Sequence, residues 1–429
     1  MLVVDATHGG LTLSEEYARR GHEVVCADVH GTADAAQRER AETFSLVEAL
    51  PPLNGFDLVV SPVHFPRGRL GDTAGAKVIT HHQAVRALLE DEMRCPVVEM
   101  TGSFGKTETM MAAIHLLKGK RSVLALTSNG ILLASGGKVV NLSGMVSSTP
   151  ANIIKAVRLC RGRFDTALFE VSLGGTGLAD LGIIKNVYDN YSIAEGTLTA
   201  LDAKLSMVRE RRHSSTSLVN ADDPLLSSVQ GAQMFSAAGR RAEVSALGVR
   251  VGTEGVSFAA AFEGFRVLGG GSLNGLYRVE SSPRLVGRQH VENLLLASAV
   301  ATFLGAAEEI PRLAEFEAGE KMVMDNSGSP KRVLNISSSI GPVSLRRALE
   351  DFCEVFPGQV SLCFGGTIHT TCGYLDLPAL AGVLDGMPQV GEVALFGEVG
   401  DSLRPFIKSK RVVGASELSG DPILYVERR

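Results

Sequence analysis

No uninterrupted apolar run in the sequence is long enough to cross a bilayer, which argues against a helical membrane span. Met1 to Val4 run straight into Asp5 and a polar turn, without the basic-then-apolar opening of a secretory signal. Positive charge is not in excess: the formal net charge is -5, which gives no reason to expect nucleic acid or an anionic membrane as partner. The six cysteines (Cys26, Cys95, Cys160, Cys353, Cys363, Cys372) never occur as Cys-x-x-Cys, so neither a zinc site nor a disulfide framework is suggested, and a reducing cytoplasm is the expected setting. Tryptophan is absent while glycine reaches 47 residues, with 45% hydrophobic and 21% charged positions, the balance of a soluble, loop-rich α/β protein. A chain of 429 residues exceeds one average domain and has room for about three.

The most informative stretch is Val97-Val98-Glu99-Met100-Thr101-Gly102-Ser103-Phe104-Gly105-Lys106-Thr107-Glu108-Thr109. An apolar strand runs into a compressed glycine loop, and Met110, Met111, Ala112, Ile114, Leu116 and Leu117 then supply a helical apolar pattern. Strand, loop and helix in that order form a phosphate cradle. Gly102 and Gly105 allow the tight turn, successive N–H groups converge on polyphosphate oxygens, Lys106 neutralises the outer phosphates, and the Thr107 hydroxyl holds magnesium. The spacing is Gly-x-x-Gly-Lys-Thr; Met100 stands where the longer P-loop pattern needs glycine.

Ahead of this stretch, short apolar runs alternate with helical ones, which predicts a βαβ rhythm and a small parallel sheet, with one helix spanning 35–50. The strand ends carry Thr7-His8-Gly9-Gly10, His30-Gly31 and Val63-His64, positions where open α/β sheets bind ligands. His8, His30, His64, His81 and His82 invite a metal hypothesis, but sequence does not show that they share a face, and the plainer reading as hydrogen-bonding loop residues is preferred. After the cradle, the buried strand Phe164 to Val171 carries Glu170 at its tip, ahead of Gly174-Gly175-Thr176-Gly177. An acidic residue there can hold magnesium against a triphosphate; the alternative is a solvated strand-end charge.

Several ordered motifs resemble the central ATPase domain of the Mur ligase superfamily, which covers residues 95–305 or so. Thr101 to Thr107 is similar to its phosphate loop, Ser148-Thr149-Pro150 to its Thr-Thr-Pro segment, and Phe169-Glu170-Val171-Ser172 to its Glu-x-Ser strand end. Lys204 falls at the family's carbamylated lysine, Asn220-Ala221-Asp222-Asp223-Pro224 matches its acidic turn, and Gly287 to Asn293 is similar to the stretch whose second Asn meets adenine. The resemblance implies an α/β fold of three domains, a Rossmann-like substrate domain (1–94), a central P-loop ATPase domain (95–311) and a Rossmann-like C-terminal domain (312–429).

It also implies ATP and Mg2+ as cofactors, with Lys106, Glu170 and Lys204 as catalytic residues and Thr107 and Glu170 as magnesium ligands. Thr101, Gly102, Ser103, Phe104, Gly105, Lys106, Thr107, Glu108 and Asn293 would bind the nucleotide. The alternative for Lys204 is a solvated helix lysine.

The departures carry information too. Asn190-Tyr191 stands where the family has Asp-His, His290 replaces the first Asn of the adenine-side pair, and residues 334–342 lack the acidic and histidine residues of the amino-acid site. This pattern resembles a branch of the superfamily that closes a carbocyclic ring on a nickel tetrapyrrole instead of adding an amino acid. A small-molecule carboxylate is then the partner, with Arg67, Arg69, Lys77, Arg332, Arg346 and Arg347 as candidate contacts to an anionic macrocycle. An amide-forming ligase and a nucleotide-binding regulatory protein are the alternatives.

Overall fold

The computed structural model describes all residues except 40, 74, 283, 284, 286, 318–322, 325–329, 332, 338–340, 369–374, 415, 416, 419–422 and 429, with backbone only for the strands within 323–337 and for Arg428. The chain begins with β1 (Leu2–Val4), α1 (Leu11–Arg19), β2 (Val25–Ala27), α2 (Ala35–Glu39), β3 (Ser45–Val47), β4 (Leu58–Ser61), β5 (Lys77–Thr80) and α3 (His81–Leu89). The five strands form one parallel sheet in the order β3-β2-β1-β4-β5. Strand order reverses between β1 and β4, so the loops after these strands flank a ligand crevice. Leu2, Val3 and Val4 are fully buried, as a central strand covered on both faces requires.

The helix expected over 35–50 is a departure. It ends at Glu39, and Ser45–Val47 pairs in parallel with Val25–Ala27. Phe44 is buried and Leu46 packs against the same core, so completing the sheet edge overrides the local helical pattern.

Next come β6 (Val97–Thr101), α4 (Lys106–Leu117), β7 (Val123–Thr127), β8 (Gly130–Ser135), β9 (Lys138–Asn141), α5 (Asn152–Leu159), β10 (Thr166–Glu170), β11 (Leu181–Ile184), β12 (Ser192–Ile193) and β13 (Leu198–Thr199). They continue through α6 (Ala200–Lys204), α7 (Ser206–Arg209), β14 (Thr216–Asn220), β15 (Gln233–Ser236), β16 (Val244–Gly252), β17 (Gly255–Arg266), β18 (Ser272–Glu280) and α8 (Arg288–Phe303). Eleven of the strands make one sheet, β18-β17-β16-β15-β14-β11-β6-β10-β7-β8-β9, parallel from β16 to β7 and antiparallel at both flanks. β6 lies near its middle with all five residues buried. Helix α4 packs on α8, and Met110, Leu116, Leu294 and Leu295 join one core with Val98 and Met100.

The last part contains β19 (Val323–Met324), β20 (Pro330–Lys331), β21 (Val333–Ser337), α9 (Pro342–Val355), β22 (Val360–Gly366), α10 (Leu377–Asp385), β23 (Val390–Phe396), α11 (Gly397–Leu403), β24 (Arg411–Val413) and β25 (Ile423–Arg428). A second five-stranded parallel sheet runs β21-β25-β22-β23-β24.

Named side chains tie the three sheets together. Arg158 bridges Glu16 and Glu92, with an Nη2–Oε1 distance of 2.9 Å to Glu92. Asp189 accepts N–H bonds from Val343 (2.9 Å) and Ser344 (3.0 Å), capping α9 from the central sheet. No helix among the described residues is long and apolar enough to cross a membrane.

Candidate functional site

The phosphate loop joins β6 to α4. Gly105 has φ +77°, a left-handed conformation that favours glycine, and a Cβ there would lie 2.6 Å from Lys185 Cε and 2.7 Å from Asn293 Oδ1. The amides at the start of α4 have no acceptor within the helix and point, with the helix dipole, into the loop's concavity. Lys106 Nζ folds back to donate to Gly102 O at 2.9 Å. This places its charge over the loop.

Facing it is Glu170 at the end of β10, fully buried. Its Oε2 accepts from Ser128 Oγ at 3.2 Å, and Ser128 Oγ in turn accepts from Thr107 Oγ1 at 3.3 Å. Burial pushes the Glu170 carboxyl up and the Lys106 amine down, while each charge opposes the other's shift. Lys106, Thr107, Ser128 and Glu170 therefore form one cluster built from three parallel strands. Glu170 Oε1 is buried with no hydrogen-bond partner among the described residues. An unpartnered carboxylate oxygen beside a threonine hydroxyl suits a hard divalent cation, so Thr107 and Glu170 fit magnesium.

Behind the loop lies a polar network that includes residues given no role from sequence. Asn186 Oδ1 accepts from the amides of Ser103 (2.8 Å) and Phe104 (3.1 Å), fixing the loop from outside. Its amide donates to Glu292 Oε1 at 3.1 Å. Glu292 is also ion-paired with the fully buried Lys185 and accepts from Tyr188 Oη at 3.2 Å and Asn220 Nδ2 at 3.3 Å. The Asn220 to Pro224 turn works in the same way: Asp223 Oδ2 accepts from Val187 N at 2.6 Å, and Asp222 takes the amides of Ala237 (2.7 Å) and Ala238 (2.9 Å). Its acidic side chains hold backbone.

The remaining expected residues divide. Thr101 closes β6, fully buried, with its carbonyl accepting from Lys185 N at 2.8 Å. Phe104 packs its ring 5.6 Å from that of Tyr188. Glu108 sits in the first turn of α4, 3.2 Å from His290 Nδ1 and bonded to the Asn293 amide. Asn293 also accepts from Thr109 Oγ1 at 3.3 Å, so its side chain lies buried against the loop. Ser148 and Ser172 bring two motifs together, their hydroxyls 2.6 Å apart.

Lys204 closes α6, buried, its Nζ 5.6 Å from the centre of the Tyr191 ring. A cation is favoured over that face. Asn190, at the position of the family's Asp, accepts from Leu201 N at 2.9 Å. Of the basic candidates, Arg69 pairs with Glu195 and Arg347 lies 3.7 Å over the Tyr188 ring. Arg67, Lys77 and Arg346 are exposed, and Arg332 lies outside the described residues.

The fold, a central phosphate-loop sheet flanked by two smaller parallel sheets, is that of solved Mur ligases. The solved MurF ligase from Thermotoga maritima in complex with ADP superposes with a TM-score of 0.58 at 16% identity, covering 95% of this chain and 91% of that one. In sequence the chain is similar to proteins named coenzyme F(430) synthetase. That from Methanosarcina acetivorans is 34% identical over 234 residues, which are 52% of this chain and 50% of the relative, so the match spans about half of that relative's length. That from Methanocaldococcus jannaschii is 26% identical over 399 residues, 90% of this chain and 87% of the relative. No protein-family model matches the chain.

Proposed function

We propose that this chain is an ATP-dependent ligase that activates a substrate carboxylate as an acyl phosphate. The observation that carries the proposal is the cluster of Lys106, Thr107, Ser128 and Glu170 around an open helix N-terminus. A carboxylate is a poor electrophile at neutral pH. Attack of its oxygen on the γ-phosphorus of ATP releases ADP and leaves an acyl carbon bearing a good leaving group. Lys106 and the amides of α4 lie where charge on the transferring phosphoryl group is to be offset. Thr107 and Glu170 would hold magnesium, which would supply further neutralisation of the phosphate oxygens. Asn186 and Asn293 keep the loop in shape, and Asn293 sits on the side expected to meet adenine. Lys204 belongs to the proposed machinery as a buried group near the Gly174 loop, where Ala203 O would lie 2.6 Å from a Cβ at position 174.

The finer proposal is closure of the last carbocyclic ring of a nickel tetrapyrrole: a carbon nucleophile of the same macrocycle attacks the acyl phosphate and inorganic phosphate leaves. Two things support it, the names of the similar proteins and the use of the divergent positions. Asn190 and Tyr191 serve local packing here, and Asp189 caps α9. An intramolecular attack needs no amine site. We place the reaction in the cytoplasm.

Incubation with ATP, magnesium and the open-ring acid, followed by mass spectrometry, tests this. Loss of one water from the macrocycle with release of ADP and phosphate is expected. Phosphate release that requires an added amine, with that amine in the product mass, would replace ring closure by amide ligation; ATP binding without phosphate release would overturn both.

A further inference from the structure

Three of the six histidines within residues 1–94 converge on one carboxylate. Asp5 directly follows β1, His30 follows β2 and His64 follows β4, so all three arrive at the carboxyl edge of the parallel sheet, where its strand order reverses. His8 Nδ1 lies 2.7 Å from Asp5 Oδ2, His64 Nε2 lies 3.1 Å from the same oxygen, and His30 Nε2 lies 3.7 Å from it. One ligand atom from each of the four residues can be chosen so that all lie within 4.8 Å of one another. The His8 ring packs edge-on against those of His30 and His64, with centroids 5.8 and 5.3 Å away. His81 and His82 take no part: each donates from Nε2 to a backbone carbonyl, of Val4 at 2.9 Å and of Ser172 at 2.8 Å.

We propose that Asp5, His8, His30 and His64 form a binding site for a divalent transition-metal ion. Three imidazoles and one carboxylate are a donor set suited to zinc, nickel or cobalt, and poorly suited to magnesium, which prefers oxygen. Hydrogen bonding to Asp5 accounts for His8 and His64. It does not account for His30, whose Nε2 is brought toward the same oxygen yet stays beyond hydrogen-bond length.

The backbone is shaped around the carboxylate. Asp5 adopts φ +70°, uncommon for a residue with a Cβ, and its N–H donates to Ala27 O at 2.9 Å while its carbonyl accepts from Gly10 N at 3.1 Å. A Cβ on Gly10 would lie 2.3 Å from Asp5 O, and one on Gly9 would lie 2.6 Å from Ala151 Cβ. The His30 loop is tied to this turn by the Thr7 and Thr32 hydroxyls, 2.6 Å apart, and is braced by Asp28, which accepts from Ala33 N at 2.9 Å. These supports hold the donors in place. Exposure rises from 0% at Asp5 through 13% at His64 and 18% at His8 to 37% at His30, so the ion would be open to one further donor on the His30 side.

The test uses the untagged full chain, stripped with a chelator and titrated with cobalt(II) in excess magnesium, with visible absorption as readout. One equivalent should bind with the bands of nitrogen coordination, and zinc should displace it. His30→Ala, at the most exposed ligand, and His64→Ala should each weaken binding at least about tenfold, while Glu170→Gln keeps the full equivalent. Absence of cobalt bands, or unchanged cobalt affinity in His30→Ala, would overturn the proposal whether or not His64→Ala folds. Loss of the equivalent in Glu170→Gln alone would move the ion to the phosphate loop and overturn it too.

Discussion

The phosphate-loop cluster and the histidine cluster occupy equivalent places, each at the carboxyl edge of a parallel sheet, yet they are assembled in opposite ways. The first is built around one contiguous stretch: Thr101 to Glu108 supplies the turn, the lysine, the hydroxyl and the helix end, and only Ser128 and Glu170 come from elsewhere. The second draws four side chains from three loops between positions 5 and 64. Where the backbone makes the site, spacing within one segment is the signal. Where the sheet makes it, the signal appears only once strand order is known.

Breaking the first cluster should have the largest effect. Lys106→Ala removes a side chain whose charge lies over the loop, and ATP-dependent phosphate release should fall about a thousandfold, while the circular dichroism spectrum stays native. A loss below tenfold would show that the loop amides alone carry the phosphoryl group. Glu170→Gln keeps the shape and the bond from Ser128 but removes the charge proposed to hold magnesium. About a hundredfold loss is expected, partly recovered at high magnesium in steady-state assays. If raised magnesium recovers nothing, the carboxylate has some other role.

The two regions should also differ in their response to pH. Burial pushes the Glu99 carboxyl, beneath the loop on β6, up to about 7, although it accepts from Thr176 N at 2.9 Å. A carboxyl with a raised folded-state value binds more protons folded than unfolded, so stability falls as pH rises from about 4.5 to about 7. Glu99→Gln can keep both bonds to Thr176 and should remove that loss, about 2–3 kcal/mol by urea unfolding at pH 8 against pH 5. The N-terminal region has the opposite sign. Burial pushes His82 down to about 4, so its contribution is present above about 6.5 and is lost as pH falls toward 4. His82→Gln should flatten only the acid limb. Identical pH profiles for the two variants would sink this distinction.

Legibility followed the same division. The strand, glycine loop and helix at 97–117 have bounds set by local chemistry: an apolar run, a glycine in the left-handed region and a helical apolar pattern. The helix expected over 35–50 failed because Phe44 and Leu46 complete a sheet edge, a benefit no local window contains. In the antiparallel meander 244–280, Val256, Phe258, Ala260 and Phe262 alternate inward as a half-buried strand should, a period-two signal that is present in the sequence. The convergence of His8, His30 and His64 depended on the order β2-β1-β4. The role of Asn186 has no local signal in the sequence, because its partners, the Ser103 and Phe104 amides, lie more than eighty positions away.

That residue offers the smallest and most discriminating perturbation. Asn186 touches neither Lys106 nor Glu170 in any hydrogen bond described; it holds two loop amides and donates to Glu292. Asn186→Ala strands the Phe104 amide, leaves the Ser103 amide only its bond to the carbonyl of residue 186 (3.0 Å), and takes one donor from a carboxylate that keeps Lys185, Tyr188 and Asn220. Destabilisation of about 1–3 kcal/mol is expected by urea unfolding. Because the loop would lose its outer brace while its lysine and hydroxyl remain, the KM for ATP should rise more than kcat falls. The reverse split would mean that the brace acts on the transition state, and that the loop is finished by its buried network as much as by its own glycines.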